Sequence, residues 1–314
     1  MTDFVNAEIP RDRFGRPMIV PPGRGTKRVP YRRTTTFVGC LDDMNGLMKW
    51  QSRQVVLGMG QRNDLVLAAA AANPDDKKTL HDIAEKAKQA AASSAAADIG
   101  TALHSYTERI DRGDTLGHVP QPYANDLQAY REATAGIEWL GIETFRVHDD
   151  WQIAGTADRI GKINGRTMIM DIKTGSIDYP HEMAMQLAMY SRMVPYDIAT
   201  DTRSADPELV DPNRGVIIHL PAGQGRCELH EVRLSAGWGA CLLARKVWEW
   251  RAIKDLLQPI GTTEPPPPPT WESLITAATS LDDLRLIWAR AKELGELTAD
   301  LKAAAKSRSE ELAA

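Results

Sequence analysis

The feature that most constrains this chain is residues 155–175, which read as two short strands around an Asn-Gly dipeptide at 164–165. Asn-Gly is the strongest short-range signal for a two-residue β-hairpin. With that turn, Asp158 and Asp171 lie directly opposite each other across the two strands, where like charges repel. Lys173 follows Asp171 by two residues and therefore points to the same face. The hairpin thus gathers two carboxylates and an ammonium, and a divalent cation would offset the carboxylate repulsion.

Composition sets broad limits on the kind of protein this is. A chain of 314 residues with 43% hydrophobic and 25% charged residues is long enough for one large domain plus an appendage, and it excludes global disorder. No run of about 18 apolar residues is present, so no membrane span or membrane partner is expected, and a cytoplasmic location follows. The net charge of -4 neither indicates nor excludes a nucleic-acid partner, because a local basic groove decides that.

The cysteines exclude several kinds of site. There are three, Cys40, Cys227 and Cys241, and they form no Cys-x-x-Cys pair. A disulfide framework and a four-cysteine zinc or iron–sulfur site within one chain are therefore not expected, and we interpret the cysteines as buried thiols.

The pattern along the chain predicts four parts. Residues 1–35 form a basic, extended arm, either a solvated terminus or a segment that contacts phosphates. Residues 36–260 form an α/β domain in which a small mixed sheet is flanked by helices. Residues 261–269 form a proline-rich linker, and residues 270–314 form a small helical module.

Regular elements are predicted on both sides of the hairpin. Residues 122–140 read as a helix and residues 143–148 as a strand, and Pro180 opens a helix that extends to Met193. The remaining predictions for this domain are strands over 215–220 and 227–234, and a helix over 236–257.

The spacing Asp-x12-Asp-x-Lys suits metal-dependent cleavage of a phosphodiester. Two carboxylates would hold a divalent ion that stabilises charge on the phosphate, and the lysine would position or deprotonate the attacking water. A solvent-facing hairpin with ordinary surface charges is the alternative. The direct opposition of Asp158 and Asp171, with glycine at both strand ends, favours the site.

These motifs resemble the PD-(D/E)xK nuclease superfamily, and within it the RecB-like and Cas4-like exonuclease branch. The resemblance rests first on Gly155-Thr-Ala-Asp158 and Asp171-Ile-Lys173-Thr-Gly. Gly100-Thr-Ala-Leu-His104-Ser-Tyr-Thr-Glu108 is similar to the histidine helix of that branch, and Gln186-Leu-Ala-Met-Tyr190 to its Gln-x3-Tyr helix. The resemblance spans about 100 to 190 and implies a restriction-endonuclease-like core.

The resemblance also implies a role for each matching residue. His104, Asp158, Asp171 and the backbone carbonyl of Ile172 would hold Mg²⁺ or Mn²⁺. Lys173 would orient or activate water.

Four further residues are candidates for supporting the site. Gln186 and Tyr190 are one helical turn apart and could hydrogen-bond a phosphate or orient the lysine; alone, the tyrosine would read as a packed residue. Glu108 shares a helix face with His104, and it is either an orienting acid or a solvated one. Glu143 lies on the preceding strand and could reach the same site.

Other signals limit the resemblance. Cas4-type members often carry a four-cysteine iron–sulfur cluster, and this chain lacks the fourth cysteine, so no cluster is expected. No phosphate-binding loop of the Gly-x4-Gly-Lys-Ser/Thr type is present, so the chain is not itself an ATP-driven helicase. Five other histidines have no partner at ligand spacing and read as structural or surface residues: His118, His148, His181, His219 and His230.

The expected function is a metal-dependent deoxyribonuclease, most simply an exonuclease, in DNA recombination, repair or phage DNA processing. If the chain is phage-encoded, it would act in the host cytoplasm. DNA is the expected substrate, and a recombinase, an annealing protein or a helicase is the kind of protein partner expected. The small C-terminal module would either recruit a partner such as a recombinase or serve as an appendage that stabilises the fold. The alternatives are a structure-specific endonuclease and a non-catalytic DNA-binding or assembly module on a nuclease fold.

Overall fold

The computed structural model describes residues 8–23, 25–91, 95–257 and 269–313. The chain divides into two compact units, Met1–Ile253 and Lys254–Ala314. Residues 1–7 of the expected arm and most of the expected linker, 261–268, lie outside the described residues. In the described ranges, no helix has both the length and the apolar character that crossing a membrane requires.

The first unit contains both helices and strands. Its strands are β1 (Met18–Ile19), β2 (Val29–Pro30), β3 (Arg32–Arg33), β4 (Glu138–His148), β5 (Ile153–Ile163), β6 (Arg166–Lys173), β7 (Val194–Asp197), β8 (Thr202–Arg203), β9 (Arg214–His219) and β10 (Glu228–Arg233). Its helices are α1 (Thr34–Val38), α2 (Asn45–Gln61), α3 (Asn63–Ala71), α4 (Lys77–Ala90), α5 (Ala95–Arg112), α6 (Tyr123–Thr134), α7 (Pro180–Tyr190) and α8 (Leu234–Arg251).

A mixed sheet forms the centre of this unit, with the strand order β10-β9-β6-β5-β4-β7-β8. The strands along this order pair antiparallel except for β6 and β9, which pair parallel. Parallel neighbours need a crossover connection, and α7 lies in the one that follows β6. The predicted α/β class, with a central mixed sheet flanked by helices and a C-terminal helical region, is confirmed and is consistent with a restriction-endonuclease-like fold.

The hairpin of β5 and β6 has the register that the Asn-Gly turn predicts. Asn164 and Gly165 both have positive φ, 51° and 75°, as a two-residue hairpin turn of the primed type requires. Ile163 pairs with Arg166, and the ladder continues to the pair of Arg159 and Met170. One further step in the same register sets Asp158 opposite Asp171.

Apolar side chains cover both faces of the sheet. Alternate residues of β6 point in opposite directions, so Ile169 joins a buried cluster with Leu187 of α7 and Cys241 of α8. Met170 belongs to a second buried cluster that contains Tyr130 of α6. Burial on both faces explains why β6 reads as a nearly continuous apolar run that the acid of Asp171 interrupts.

The boundary between α6 and β4 differs from the sequence prediction. The helix expected over 122–140 ends at Thr134, and β4 begins at Glu138 instead of residue 143. Trp139, which the pattern assigned to the helix, pairs with Gly161 of β5. Pairing with β5 therefore overrides the local helical pattern, and β4 extends along the whole strand that carries Asp158.

The segment expected as an extended basic arm is packed over its described residues. β3 pairs with the start of β5, and Ile19 and Tyr31 are fully buried in one cluster. Two of its arginines are also engaged within the protein. The Arg28 guanidinium lies 2.9 Å from a carboxylate oxygen of Asp201, and that of Arg32 lies 3.8 Å from the ring centre of Trp248. The extended-arm prediction is corrected here, because the apolar residues between the arginines supply a core contact.

The second unit is helical. It contains α9 (Trp271–Ala277), α10 (Leu281–Glu293) and α11 (Ala299–Ala313). Thr270 and Ser280 cap the first two helices by accepting hydrogen bonds from backbone N–H groups of the first turn. Its buried core is formed by Ile275, Ala278, Leu284, Leu301 and Ala305. The domain limits given from the sequence stay predictions.

Candidate functional site

The two opposed acids lie in a largely buried part of the sheet. Asp171 is only 3% exposed, and the side chain of Asp158 is 16% exposed. One carboxylate oxygen of Asp158, Oδ2, accepts a hydrogen bond of 3.0 Å from the backbone N–H of Ile172. This bond fixes the Asp158 carboxylate against the strand of Asp171, so both acids are held in place before any ligand arrives.

Positive charge close to Asp171 comes from the neighbouring lysine. Lys173 Nζ lies 2.7 Å from Asp171 Oδ2, in a direction that does not satisfy hydrogen-bond geometry. Within the described residues, this buried oxygen accepts no hydrogen bond, whereas the other oxygen, Oδ1, lies 3.4 Å from the side-chain nitrogen of Gln186. Among the described residues, Oδ2 thus has an ammonium close by but no aligned hydrogen-bond donor, and a cation bound there would complete its charge compensation.

The burial of Asp171 and the charges around it also shift its pKa. Burial, followed by the charge of Asp158, raises the pKa to about 7, although the ammonium of Lys173 offsets part of the rise. Burial is the largest single effect on the pKa of Lys173 and lowers it, but Asp171, Asp158 and Glu182 together outweigh burial, so the net shift is upward. Lys173 therefore remains protonated near neutral pH and acts as a hydrogen-bond donor.

His104 reaches the acids from helix α5. Its Nδ1 lies 3.6 Å from Asp158 Oδ2, and burial lowers its pKa below the ordinary value of 6.5. The imidazole is therefore neutral near pH 7, which is the form that binds a metal ion. Glu108 lies one turn further along α5, but its carboxylate pairs with Arg112 at 3.0 Å. The structure thus brings His104 to the acids and gives Glu108 a partner on its own helix.

Glu143 occupies an unusual position in β4. Its φ of 50° lies in the left-handed region, which a non-glycine residue in a strand rarely adopts. The ladder with β5 pairs Ile142 with Arg159 and Thr144 with Ala157, and it omits the pair that Glu143 would form with Asp158. Burial, followed by the charge of Asp158, raises the pKa of Glu143 to about 7. The strand is thus distorted where Glu143 adds a third acid beside Asp158.

Tyr190 is buried beneath the acids, 4% exposed, at the end of α7. Burial is the largest cause that raises its pKa, and the nearby charges of Asp158 and Asp171 act in the same direction. Gln186, one helical turn before Tyr190 on α7, donates from its side-chain nitrogen to Asp171 Oδ1 at 3.4 Å. Gly155 of β5 makes the packing of Tyr190 possible, because a Cβ there would lie 2.7 Å from Thr34 Oγ1 and 2.9 Å from the Tyr190 hydroxyl oxygen.

Replacing Gly155 by Ala is expected to destabilise the protein by about 1–3 kcal/mol, because the added methyl group would overpack against Tyr190. Gly175→Ala is the matched control, since a Cβ at Gly175 has no heavy atom within 4 Å among the described residues, and its effect should stay within about 0.5 kcal/mol. Urea denaturation of both variants measures the difference, and equal stabilities would contradict the close packing.

A buried polar network beside the site was missed from the sequence. Arg159 is fully buried, and its guanidinium lies 2.6 Å from Asp111 Oδ2 and 3.0 Å from Glu143 Oε1. It also donates to the backbone carbonyl of Asp158 at 2.7 Å, while the hydroxyl of Tyr130 donates to Asp111 at 2.6 Å. In the sequence, the sign of this network is a charged residue directly after Asp158 on an otherwise apolar strand. The partners in the network, Asp111 of α5 and Tyr130 of α6, are brought to Arg159 only by the tertiary fold.

Comparison with known proteins gives matches of two kinds, one to solved structures and one to a family model. Among solved structures, the crystal structure of SSO0001 is similar, with 14% sequence identity, coverage of 67% of this chain and 75% of that chain, and a TM-score of 0.24. No curated protein matches the sequence significantly. A family model does match, and it spans every predicted site residue from His104 to Tyr190. Residues 59–197 are thus similar to the PD-(D/E)XK nuclease superfamily, whose members use divalent metal ions.

Proposed function

We propose that this protein is a Mg²⁺- or Mn²⁺-dependent DNA exonuclease of the RecB-like and Cas4-like kind, acting in DNA recombination, repair or phage DNA processing. The observation that carries the proposal is the pair of opposed, buried acids with Lys173 Nζ 2.7 Å from Asp171. The superfamily match over residues 59–197 supports a nuclease with DNA as substrate. The exonuclease type rests on the histidine helix and the Gln-x3-Tyr helix.

The donor set fits a hard divalent cation. Asp158, Asp171, the neutral imidazole of His104 and the backbone carbonyl of Ile172 offer three oxygen-bearing groups and one nitrogen, a set suited to Mn²⁺ and Mg²⁺. The feature that supports such an ion is the buried Asp171 Oδ2, which has the Lys173 ammonium 2.7 Å away but no aligned hydrogen-bond donor in the described part of the chain. When bound, the cation would stabilise negative charge on the phosphate undergoing hydrolysis.

Lys173 would orient the attacking water or a phosphate oxygen. Its raised pKa keeps the ammonium protonated near neutral pH, so it donates a hydrogen bond and does not accept a proton in this arrangement. The sequence left open whether this lysine positions or deprotonates the attacking water, and its charge state supports positioning. Gln186 would hold Asp171 through its amide. Tyr190, which packs against β5 at Gly155, would support the site from the same helix. Water attack would leave a 5′-phosphate and a 3′-hydroxyl, as the resemblance implies.

Labelled DNA substrates test this function directly. With Mg²⁺ or Mn²⁺, linear DNA labelled at the 5′ or the 3′ end should be degraded from an end, and EDTA should stop the reaction. Covalently closed single-stranded circles should stay intact, because they offer no end. Asp158→Asn serves as the inactive control, since it removes a carboxylate of the site.

Two results would decide against the proposal. Cleavage of closed circles would replace the exonuclease with an endonuclease on the same fold. DNA binding without any cleavage, in the presence of either metal, would favour a non-catalytic module.

A further inference from the structure

A second cluster of ligand-type side chains lies at the edge of the sheet, on strands β9 and β10. His219 ends β9, and it pairs with Glu228 across the antiparallel ladder and with Lys173 across the parallel ladder. His230 lies two residues beyond Glu228 on β10. Residues paired across strands share a face, so these three side chains lie on the face of the sheet that carries Lys173.

The geometry of the cluster suits a metal ion. One ligand atom each of His219, Glu228 and His230 lies within 4.8 Å of the other two. Glu228 Oε2 is 3.3 Å from His230 Nε2, but the two atoms do not form a hydrogen bond. This imidazole nitrogen is shielded from solvent, and within the described residues it has no hydrogen-bond partner. His230 Nε2 is thus shielded, lies next to a carboxylate and forms no hydrogen bond with the part of the chain that the structure describes, so its lone pair is available to a metal ion.

A hydrogen bond fixes the tautomer of the other imidazole. His219 is 8% exposed, and its Nε2 lies 3.0 Å from the backbone carbonyl of Gly175. A carbonyl oxygen only accepts, so Nε2 carries the hydrogen and Nδ1 keeps its lone pair. Histidines that bind metals commonly donate their other ring N–H to a backbone carbonyl in this way, which orients the ring.

We propose that His219, Glu228 and His230 form a second metal site, which binds Zn²⁺ or a similar borderline transition metal. Two imidazoles and one carboxylate are a known ligand set for zinc, and they leave a position open to water or a substrate group. This set contrasts with the acid-rich centre around Asp158 and Asp171, which suits Mg²⁺ or Mn²⁺. The Glu228 side chain is 50% exposed, so an ion can enter from solvent. The proposal does not depend on the proposed nuclease activity.

The spacing of His219 and His230 in the sequence gave no sign that they lie close to each other and to Glu228. They are 11 residues apart in the sequence, and only the pairing of β9 with β10 brings them together. The hydrogen bond from His219 to Gly175 links this cluster to the loop that directly follows Lys173. An ion bound here would brace the edge of the sheet next to the acid-rich centre.

The test uses the full chain carrying Asp158→Asn and Asp171→Asn, which removes the competing carboxylates of the first centre. Isothermal titration with Zn²⁺ should show one tight site per chain that millimolar Mg²⁺ does not displace. Titration with Co²⁺ should give the visible absorption of a four- or five-coordinate ion with nitrogen ligands. Zn²⁺ should also raise the melting temperature of this protein.

Adding His230→Gln or Glu228→Gln to this background should weaken Zn²⁺ binding at least about tenfold and abolish the Co²⁺ absorption. Both positions are on a partly exposed edge strand, so the variants should fold, and circular dichroism checks this. His81→Gln is the matched control, because His81 Nε2 lies 3.9 Å from Glu85 in an exposed His–Glu pair on α4. Unchanged Zn²⁺ affinity in the folded His230 and Glu228 variants, or an equal loss in the control, would overturn the proposal.

Discussion

Asp171→Asn is expected to abolish DNA hydrolysis and, at the same time, to make the metal-free protein more stable at pH 8. The loss of activity should be about 10²-fold or more, because even residues that only orient a metal ligand contribute 10- to 100-fold. The gain in stability has a separate cause, which is the protonation of a buried acid. One substitution should therefore move activity and stability in opposite directions.

The sign of the stability effect follows from proton binding. The pKa of Asp171 is raised from 3.8 to about 7 in the folded protein, first by burial and then by Asp158. Between these pH values the folded state binds more protons than the unfolded state, so the free energy of unfolding falls as pH rises. Above about pH 7 the loss is complete, and it is of the order of a few kcal/mol, since each pKa unit corresponds to about 1.4 kcal/mol. Asparagine resembles the protonated acid and escapes this loss.

Thermal denaturation in EDTA at pH 5 and pH 8 measures this effect. At pH 8 the variant should have a higher melting temperature than the unsubstituted protein, and this difference should be smaller at pH 5. Mg²⁺ or Mn²⁺ should raise the melting temperature of the unsubstituted protein more than that of the variant. Asp178→Asn, which changes an exposed acid in the loop after Lys173, should show neither effect. A variant that is less stable at both pH values would show that Asp171 is not a destabilising charge in the folded protein.

The hairpin was predictable because its information is local. Asn164 and Gly165 set the turn, the turn sets the register, and the register sets Asp158 opposite Asp171. Helix α7 was equally predictable, since Pro180 marks its start and Gln186 and Tyr190 are spaced by one helical turn. Sequence spacing within one element therefore gave the central residues of the candidate site.

Non-local contacts explain what the sequence analysis missed. The strand pairing of Trp139 with Gly161 determines where β4 begins, and no local pattern records that contact. Arg159 pairs with Asp111 of α5, and Asp111 in turn accepts from Tyr130 of α6; the packing of these helices against the sheet cannot be read from spacing. Apolar residues between the arginines of the N-terminal segment signalled packing, but the basic composition favoured an arm. In each case the tertiary fold, and not the local pattern, determined the outcome.

The second large effect is expected at Arg159. Arg159→Met should destabilise the protein by about 3–5 kcal/mol, because it leaves the carboxylate of Asp111 buried without its cation. The Asp111 side chain is only 1% exposed, so water cannot replace the guanidinium there. A double variant, Arg159→Met with Asp111→Asn, should recover much of this loss, because the uncompensated charge is gone.

Arg159 should also affect catalysis as a positioning residue. Its guanidinium donates to the backbone carbonyl of Asp158 and contacts Glu143, so it sets where two of the three acids lie. Arg159→Lys retains the charge but loses the planar fork, and among correctly folded molecules we expect kcat to fall about 10- to 100-fold. DNA binding, measured with Ca²⁺ in place of Mg²⁺, should change little.

Arg203→Lys provides the control for that experiment, since Arg203 also makes a two-pronged contact with one aspartate, Asp149 at 2.6 Å and 2.9 Å. It should cost stability without a comparable loss of kcat. If Arg159→Lys and Arg203→Lys reduced kcat equally after correction for the folded fraction, the role of Arg159 would be structural alone. If only Arg159→Lys reduces kcat, the buried network behind Asp158 holds the acids in the geometry that hydrolysis requires.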